Sequence, residues 1–192
     1  MADLGSNLQI NSDRLWDSIH ELAKIGPGVR GGSNRQTLTD ADAEGRALFQ
    51  KWCEDAGMSM GVDTMGNMFA TREGTDPDAL PVYMGSHLDT QPTGGKYDGI
   101  LGVLGGLEIL RTMNDLGIKT KHPIVVTNFT NEEGTGFHSW LFGSQAMAGT
   151  LTPEELDVVD QEGVSLATRL PQIGGDLGQI QRAARGSNEF AS

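Results

Sequence analysis

Three short runs carry side chains suited to a divalent cation: Gly85-Ser86-His87-Leu88-Asp89-Thr90, Gly94-Gly95-Lys96-Tyr97-Asp98-Gly99 and Thr130-Asn131-Glu132-Glu133-Gly134. Imidazole and carboxylate donors together suit zinc, manganese or cobalt. His87 can bind through one ring nitrogen, while Asp89 accepts a hydrogen bond from the other and fixes the ring. Asp98 has two carboxylate oxygens and can bridge a pair of ions about 3.5–4 Å apart. The adjacent Glu132 and Glu133 invite a division of labour, one as ligand and the other as general base on water. Taken singly, each has a plainer reading. A histidine after a strand is commonly a satisfied polar group, Asp-Gly commonly a turn, and a glutamate pair commonly a solvated face. Their joint placement points to one metal site.

Competing chemistries fail on pattern. Gly99–Gly106 contains no G-x-G-x-x-G, and Gly94-Gly95-Lys96-Tyr97 lacks the spacing and the hydroxyl residue of a phosphate loop. No G-x-S-x-G elbow is present, so the closeness of Ser86, His87 and Asp89 does not indicate a serine triad. Of the other histidines, His20 falls in an amphipathic helix, His122 precedes a strand, and His138 reads as loop.

The elements that must position these residues form a strand–helix–strand unit. Val82–Ser86 is a short apolar run suited to a central strand buried on both faces, and it ends at His87. A helix is predicted over Gly99–Leu116, with Ile100, Val103, Leu104, Leu107 and Leu110 at helical spacing. Gly102, Gly105 and Gly106 weaken that helix, so their expected use is close packing against the sheet. Ile124–Phe129 is a second buried strand. A unit of this kind is expected to be parallel and right-handed, with its site just past the carboxyl ends of the strands.

Around this unit, a first helix is expected over Ser12–Ile25, with Gly26 as its stop. Gly26–Leu38 reads as a surface loop. A second helix starts at the Thr39 cap and ends at Gly57, and Met58–Thr71 reads as two strands turning at Met65-Gly66-Asn67. Thr152-Pro153-Glu154-Glu155 is a helix start with a capping-box glutamate, and Ser165–Leu170 is a further short helix. From Gly174 to Ser192 the text is polar and glycine-rich, and a poorly ordered tail is expected.

Composition bounds the function. The chain has 192 residues, with 26 acidic against 14 basic side chains and a net charge of -12. That balance argues against nucleic acid or an anionic membrane surface as partner, because either must be met by clustered Lys and Arg. No apolar run has the length of a membrane span, and the start lacks the pattern of an export signal. A cytoplasmic protein is the expectation. The single cysteine, Cys53, lies in the second helix without a basic neighbour, so a buried structural thiol is expected.

The residues also carry a resemblance. Gly85-Ser86-His87-Leu88-Asp89-Thr90-Gln91-Pro92, Gly94–Leu104 and Thr130–Gly134 resemble the N-carbamoyl-L-amino-acid hydrolases and β-ureidopropionases, within the aminoacylase and carboxypeptidase G-like metallopeptidase group. The likeness extends upstream through Asp55-Ala56-Gly57 and Asp63–Asn67, and downstream through Gly163–Leu166 to about Gly174. It implies an α/β fold of the zinc-exopeptidase type, with a mostly parallel central sheet flanked by helices. In it, residues 1–173 are the N-terminal part of the catalytic domain, residues 174–192 a tail outside the family pattern, and the inserted dimerisation domain is absent.

By the resemblance, His87 binds one metal ion, Asp98 bridges both, Glu133 binds the other, Glu132 is the general base, and Asp89 orients His87. It implies two divalent ions per site (zinc, or manganese, cobalt or nickel) and a small N-carbamoyl amino acid as substrate. The products would be the amino acid, carbon dioxide and ammonia. Allantoate-type ureido compounds, N-acyl amino acids and dipeptides are the alternatives within the group, and a catalytically inactive truncated relative is another. Relatives are longer, are expected to be homodimers, and supply further metal histidines; here no histidine follows His138. Relatives also often carry Arg where this chain has Gly136 and Gln145.

Overall fold

A computed structural model describes residues 8–186 and 189–191. Its centre is one four-stranded sheet built from β1 (Ser59–Val62), β2 (Met68–Arg72), β3 (Val82–His87) and β4 (Ile124–Phe129), in the spatial order β1-β2-β4-β3. β3 and β4 pair in parallel, from Val82 opposite Ile124 to His87 opposite Phe129. Helix α3 (Ile100–Asp115) makes the crossover between them. The β1–β2 hairpin joins on the other side of β4, and both β1–β2 and β2–β4 are antiparallel. The α/β architecture therefore contains the expected parallel unit inside a mixed sheet. A two-strand hairpin brings its own antiparallel pair wherever it adds.

β4 is the buried strand, whereas β3 lies at an edge of the described sheet and its Val82 is 44% exposed. The expectation of burial on both faces thus holds for β4 and not for β3. Apolar content cannot distinguish a strand with two neighbours from a strand with one.

One face of the sheet is covered by α1 (Ser12–Leu22), α2 (Asp40–Asp55) and α3, which share a core of Leu22, Phe49, Cys53, Leu88, Ile100, Val103, Leu107 and Val126. The helices begin where their caps place them. Asn11 accepts from Arg14 N and Thr39 from Asp42 N, each worth about 1 kcal/mol. α1 is latched to α3 by Arg14, whose guanidinium meets the fully buried Glu108 at 2.8 Å. The close packing expected of the α3 glycines holds at two of three positions. A Cβ on Gly102 would stand 2.7 Å from Ser86 Cβ, and one on Gly106 3.1 Å from Val126, while Gly105 faces open space.

A second core of Leu38, Met65, Phe137, Phe142, Leu166 and Leu170 forms beneath α4 (Phe142–Ala148), α5 (Pro153–Leu156) and α6 (Leu166–Arg169). α5 starts with the capping box expected at Thr152 and Glu155. α4 escapes a pattern-based reading because it is short, holds two glycines or serines among seven residues, and begins at the left-handed Leu141. Beyond Gly174 the chain makes a 3-10 turn over Leu177–Ala183 and returns to β3, where Phe190 packs edge-on against Tyr83. Among the described residues no helix is long and apolar enough to cross a membrane.

Candidate metal centre

The parallel register sets His87 and Phe129 side by side as the last residues of β3 and β4. The segments that follow, Leu88–Thr90 and Thr130–Glu133, therefore leave the sheet at one point. Asn128 ties the two exits together, its Oδ1 accepting from Leu88 N at 2.8 Å. Asn67, in the turn before β2, holds the second exit: its Oδ1 accepts from Thr130 N and its Nδ2 donates to Gly143 O, both at 3.0 Å. Arg46 on α2 adds bonds to Gly66 O at 2.7 Å and to the Thr130 hydroxyl at 3.1 Å.

The first exit is gripped by Arg35, in the loop between α1 and α2. This loop is no surface excursion at its centre: Ser33, Arg35 and Thr37 are buried, Arg35 being only 1% exposed. The Arg35 guanidinium donates to the carbonyls of Leu88, Leu22 and Ile25. Its backbone pairs with Thr90 in both directions, Arg35 N to Thr90 Oγ1 at 2.8 Å and Thr90 N to Arg35 O at 2.9 Å. A buried arginine satisfied by backbone carbonyls has no sequence signature, since arginine defaults to the surface in any pattern-based reading.

These constraints bring His87, Glu132 and Glu133 together, with one ligand atom from each lying within 4.8 Å of the others. His87 Nε2 stands 3.3 Å from Glu132 Oε2. Glu133 is held on its far side by Gln91, whose Nε2 donates to Oε2 at 2.6 Å. Asp98 is exposed and lies outside this cluster, on the loop that enters α3, although its charge acts on Glu132. His138 is exposed and left-handed, with φ 55°. Gln91 carries no metal-donor chemistry of its own in the sequence, and its place next to the His-Leu-Asp-Thr run is the available hint.

Asp89 sits differently from the simplest picture of a carboxylate bonded to an imidazole. His87 Nδ1 meets the backbone carbonyl of Asp89 at 2.9 Å, and the carboxylate oxygen only at 3.6 Å. A carbonyl can only accept, so Nδ1 carries a proton in either charge state, and Nε2 is the nitrogen that faces the glutamates. The Asp89 carboxylate instead accepts from the backbone N–H groups of Glu132 and Glu133.

The electrostatics suit a cation. Burial works against a charged His87 ring, but Asp89 and then Glu132 outweigh it, and its pKa is pushed up to about 9. Burial raises the Glu132 pKa, with Glu133, Asp89 and Asp98 adding to the rise and His87 opposing it. The carboxylates that favour a proton on His87 would also favour a divalent cation in the same place. An imidazole nitrogen with its tautomer set, and two convergent carboxylates, form a donor set that fits zinc, manganese or cobalt.

Residues 83–175 match the model of the peptidase family M20/M25/M40. The chain is 66% identical over 186 residues to an N-carbamoyl-L-amino-acid amidohydrolase of Rhizobium meliloti, covering 96% of this chain and 44% of that protein. It is 44% identical to the N-carbamoyl-L-amino acid amidohydrolase of Geobacillus stearothermophilus, covering 92% of this chain and 43% of that one. A solved hydantoinase/carbamoylase family amidase from Burkholderia ambifaria superposes with a TM-score of 0.86 at 46% identity, over 93% of this chain and 44% of that structure. The chain thus spans less than half the length of the relatives it matches. With the motif-bearing strands, the fold and these matches in agreement, the chain belongs to the M20/M25/M40 peptidase family, and the relatives it is similar to along most of its length are named N-carbamoyl-L-amino-acid amidohydrolases and hydantoinase/carbamoylase amidases.

Proposed function

We propose that this chain carries part of the active site of a metal-dependent N-carbamoyl-L-amino-acid amidohydrolase, with His87, Asp98 and Glu133 as metal ligands and Glu132 as general base. The observation that carries the reading is the convergence of His87 Nε2 with the carboxylates of Glu132 and Glu133 at the shared exit of β3 and β4. A divalent ion bound there supplies Lewis acidity at the ureido carbonyl and lowers the pKa of water.

The protein's own groups do the rest. The Asp89 carbonyl holds the Nδ1 proton of His87, so the ring can act only as a ligand through Nε2. Gln91 restrains Glu133. Glu132, whose Oε2 faces His87 Nε2 at 3.3 Å, takes the proton of the attacking water and returns it to the departing nitrogen. The carbamoyl C–N bond to the amino acid breaks, giving the amino acid and a carbamate that decomposes to carbon dioxide and ammonia. Two ions per site, a homodimeric assembly and a cytoplasmic location belong to this proposal by family likeness.

The test is a metal titration by calorimetry together with ammonia release from N-carbamoyl, N-acetyl and dipeptide substrates. Zinc, manganese or cobalt binding that His87→Ala abolishes, with ammonia released from N-carbamoyl amino acids, is expected. Glu132→Gln should keep the metal and lose turnover. A wild-type chain that binds no divalent ion would refute the proposal.

A further inference from the structure

Asp89 is 2% exposed, so its carboxylate must find donors inside the protein. The donors it finds are consecutive backbone amides: Glu132 N to Oδ1 at 3.4 Å and Glu133 N to Oδ2 at 3.2 Å. Asn131, immediately before them, is left-handed with φ 52°, which turns the chain so that successive N–H groups converge on one anion. Such concavities commonly hold a phosphate; here the anion is a side chain from the neighbouring strand exit. On its other side, the backbone flanking Asp89 is pinned by Arg35 through Leu88 O and Thr90.

We infer that Asp89 is a positioning residue for the Glu132–Glu133 pair, fixing the backbone from which both carboxylates project, in addition to presenting the carbonyl that orients His87. The inference rests on the reading above for what the two glutamates do, but not for how they are held. Asp89 thereby couples the end of β3 to the end of β4 through hydrogen bonds that neither metal nor substrate supplies. One residue on one strand exit touches all three members of the cluster: His87 by its backbone carbonyl, Glu132 and Glu133 by its two carboxylate oxygens.

The experiment uses the metal-free chain, with amide exchange and nitrogen-proton spectra read residue by residue. In the wild type, the Glu132 and Glu133 amides should exchange at least tenfold more slowly than solvent-open amides. Asp89→Asn replaces one accepting oxygen by an NH2 group that faces an N–H donor. It should remove most of that protection at Glu132 or Glu133, leave Val125 and Val126 in β4 unchanged, and weaken divalent metal binding by about tenfold to a hundredfold. Unaltered exchange at both glutamates, with a change confined to the His87 ring signals, would overturn the inference. If Asp89→Asn does not fold, the wild-type rates decide alone, because Glu132 and Glu133 exchanging as open amides would also overturn it. Absence of metal binding in the wild type would sink the functional reading while leaving the amide result intact.

Discussion

Gly99 lies against the His87 ring so closely that a Cβ at Gly99 would stand 2.4 Å from both Cε1 and Nε2. Gly99 is also left-handed, at φ 71°, and is the residue that opens α3. The helix that crosses over between the two site-bearing strands therefore begins on the imidazole. A glycine at this point satisfies the turn and leaves the face of the ligand free.

Gly99→Ala should accordingly act on the ring as well as on stability. The left-handed backbone alone costs about 1–2 kcal/mol for a residue with a Cβ, to be read from a shift in the urea midpoint. The added methyl must also displace His87, so divalent affinity is expected to fall at least tenfold by calorimetry. A variant that loses stability but binds metal as tightly as the wild type would show that the ring has room to move.

Arg46 and Asp42 form a buried pair at 3.0 Å, at side-chain exposures of 6% and 1%. Burial raises the Asp42 pKa, and Arg46 is the chief opposing influence. Arg46→Met leaves that carboxylate uncompensated and also frees Gly66 O and the Thr130 hydroxyl. A loss of about 3–5 kcal/mol is expected in chemical denaturation. Asp42→Asn added to Arg46→Met should cost less than the sum of the two single changes, since the stranded charge is gone; strict additivity would argue that the pair is not coupled.

Cys53 is fully buried in the core between α2, α3 and the sheet, and burial pushes its thiol up to about 12. The native chain should resist thiol reagents at pH 8 and react stoichiometrically once unfolded. The raised value also has a pH signature. The neutral thiol's contribution to stability is whole below the ordinary value near 9.0 and is lost progressively as pH climbs toward about 12, because the unfolded thiol ionises first. Denaturation curves at pH 8, 9 and 10 should therefore fall more steeply for the wild type than for Cys53→Ala, and parallel curves would contradict the assignment.

The sequence alone determined the candidate donors of the site and the elements at its core. His87, Asp98 and Glu133 are candidate ligands and Glu132 a candidate base because a metal needs those donor types; the structure gathers His87, Glu132 and Glu133 and leaves Asp98 outside that cluster. Thr39 and Thr152 mark helix starts, since capping is decided by residues within one turn of each other, whereas α1 stops at Leu22 with Ala23 as its cap, short of the expected Gly26. Even Cys53 could be placed as a buried thiol, from its lack of a basic neighbour in the sequence.

What only the tertiary structure decided are the relationships between segments far apart in the chain. Arg35 grips Leu88 across 53 residues, Asn67 grips Thr130 across 63, and Asp89 reaches the amides of Glu132 and Glu133 across 43 and 44. No periodicity records such contacts, because a buried polar side chain is specified by its partners' positions and not by its neighbours in sequence. The same reason explains why β3, apolar like β4, took an edge of the described sheet. It also explains why the loop before α2 turned out to be part of the site's support.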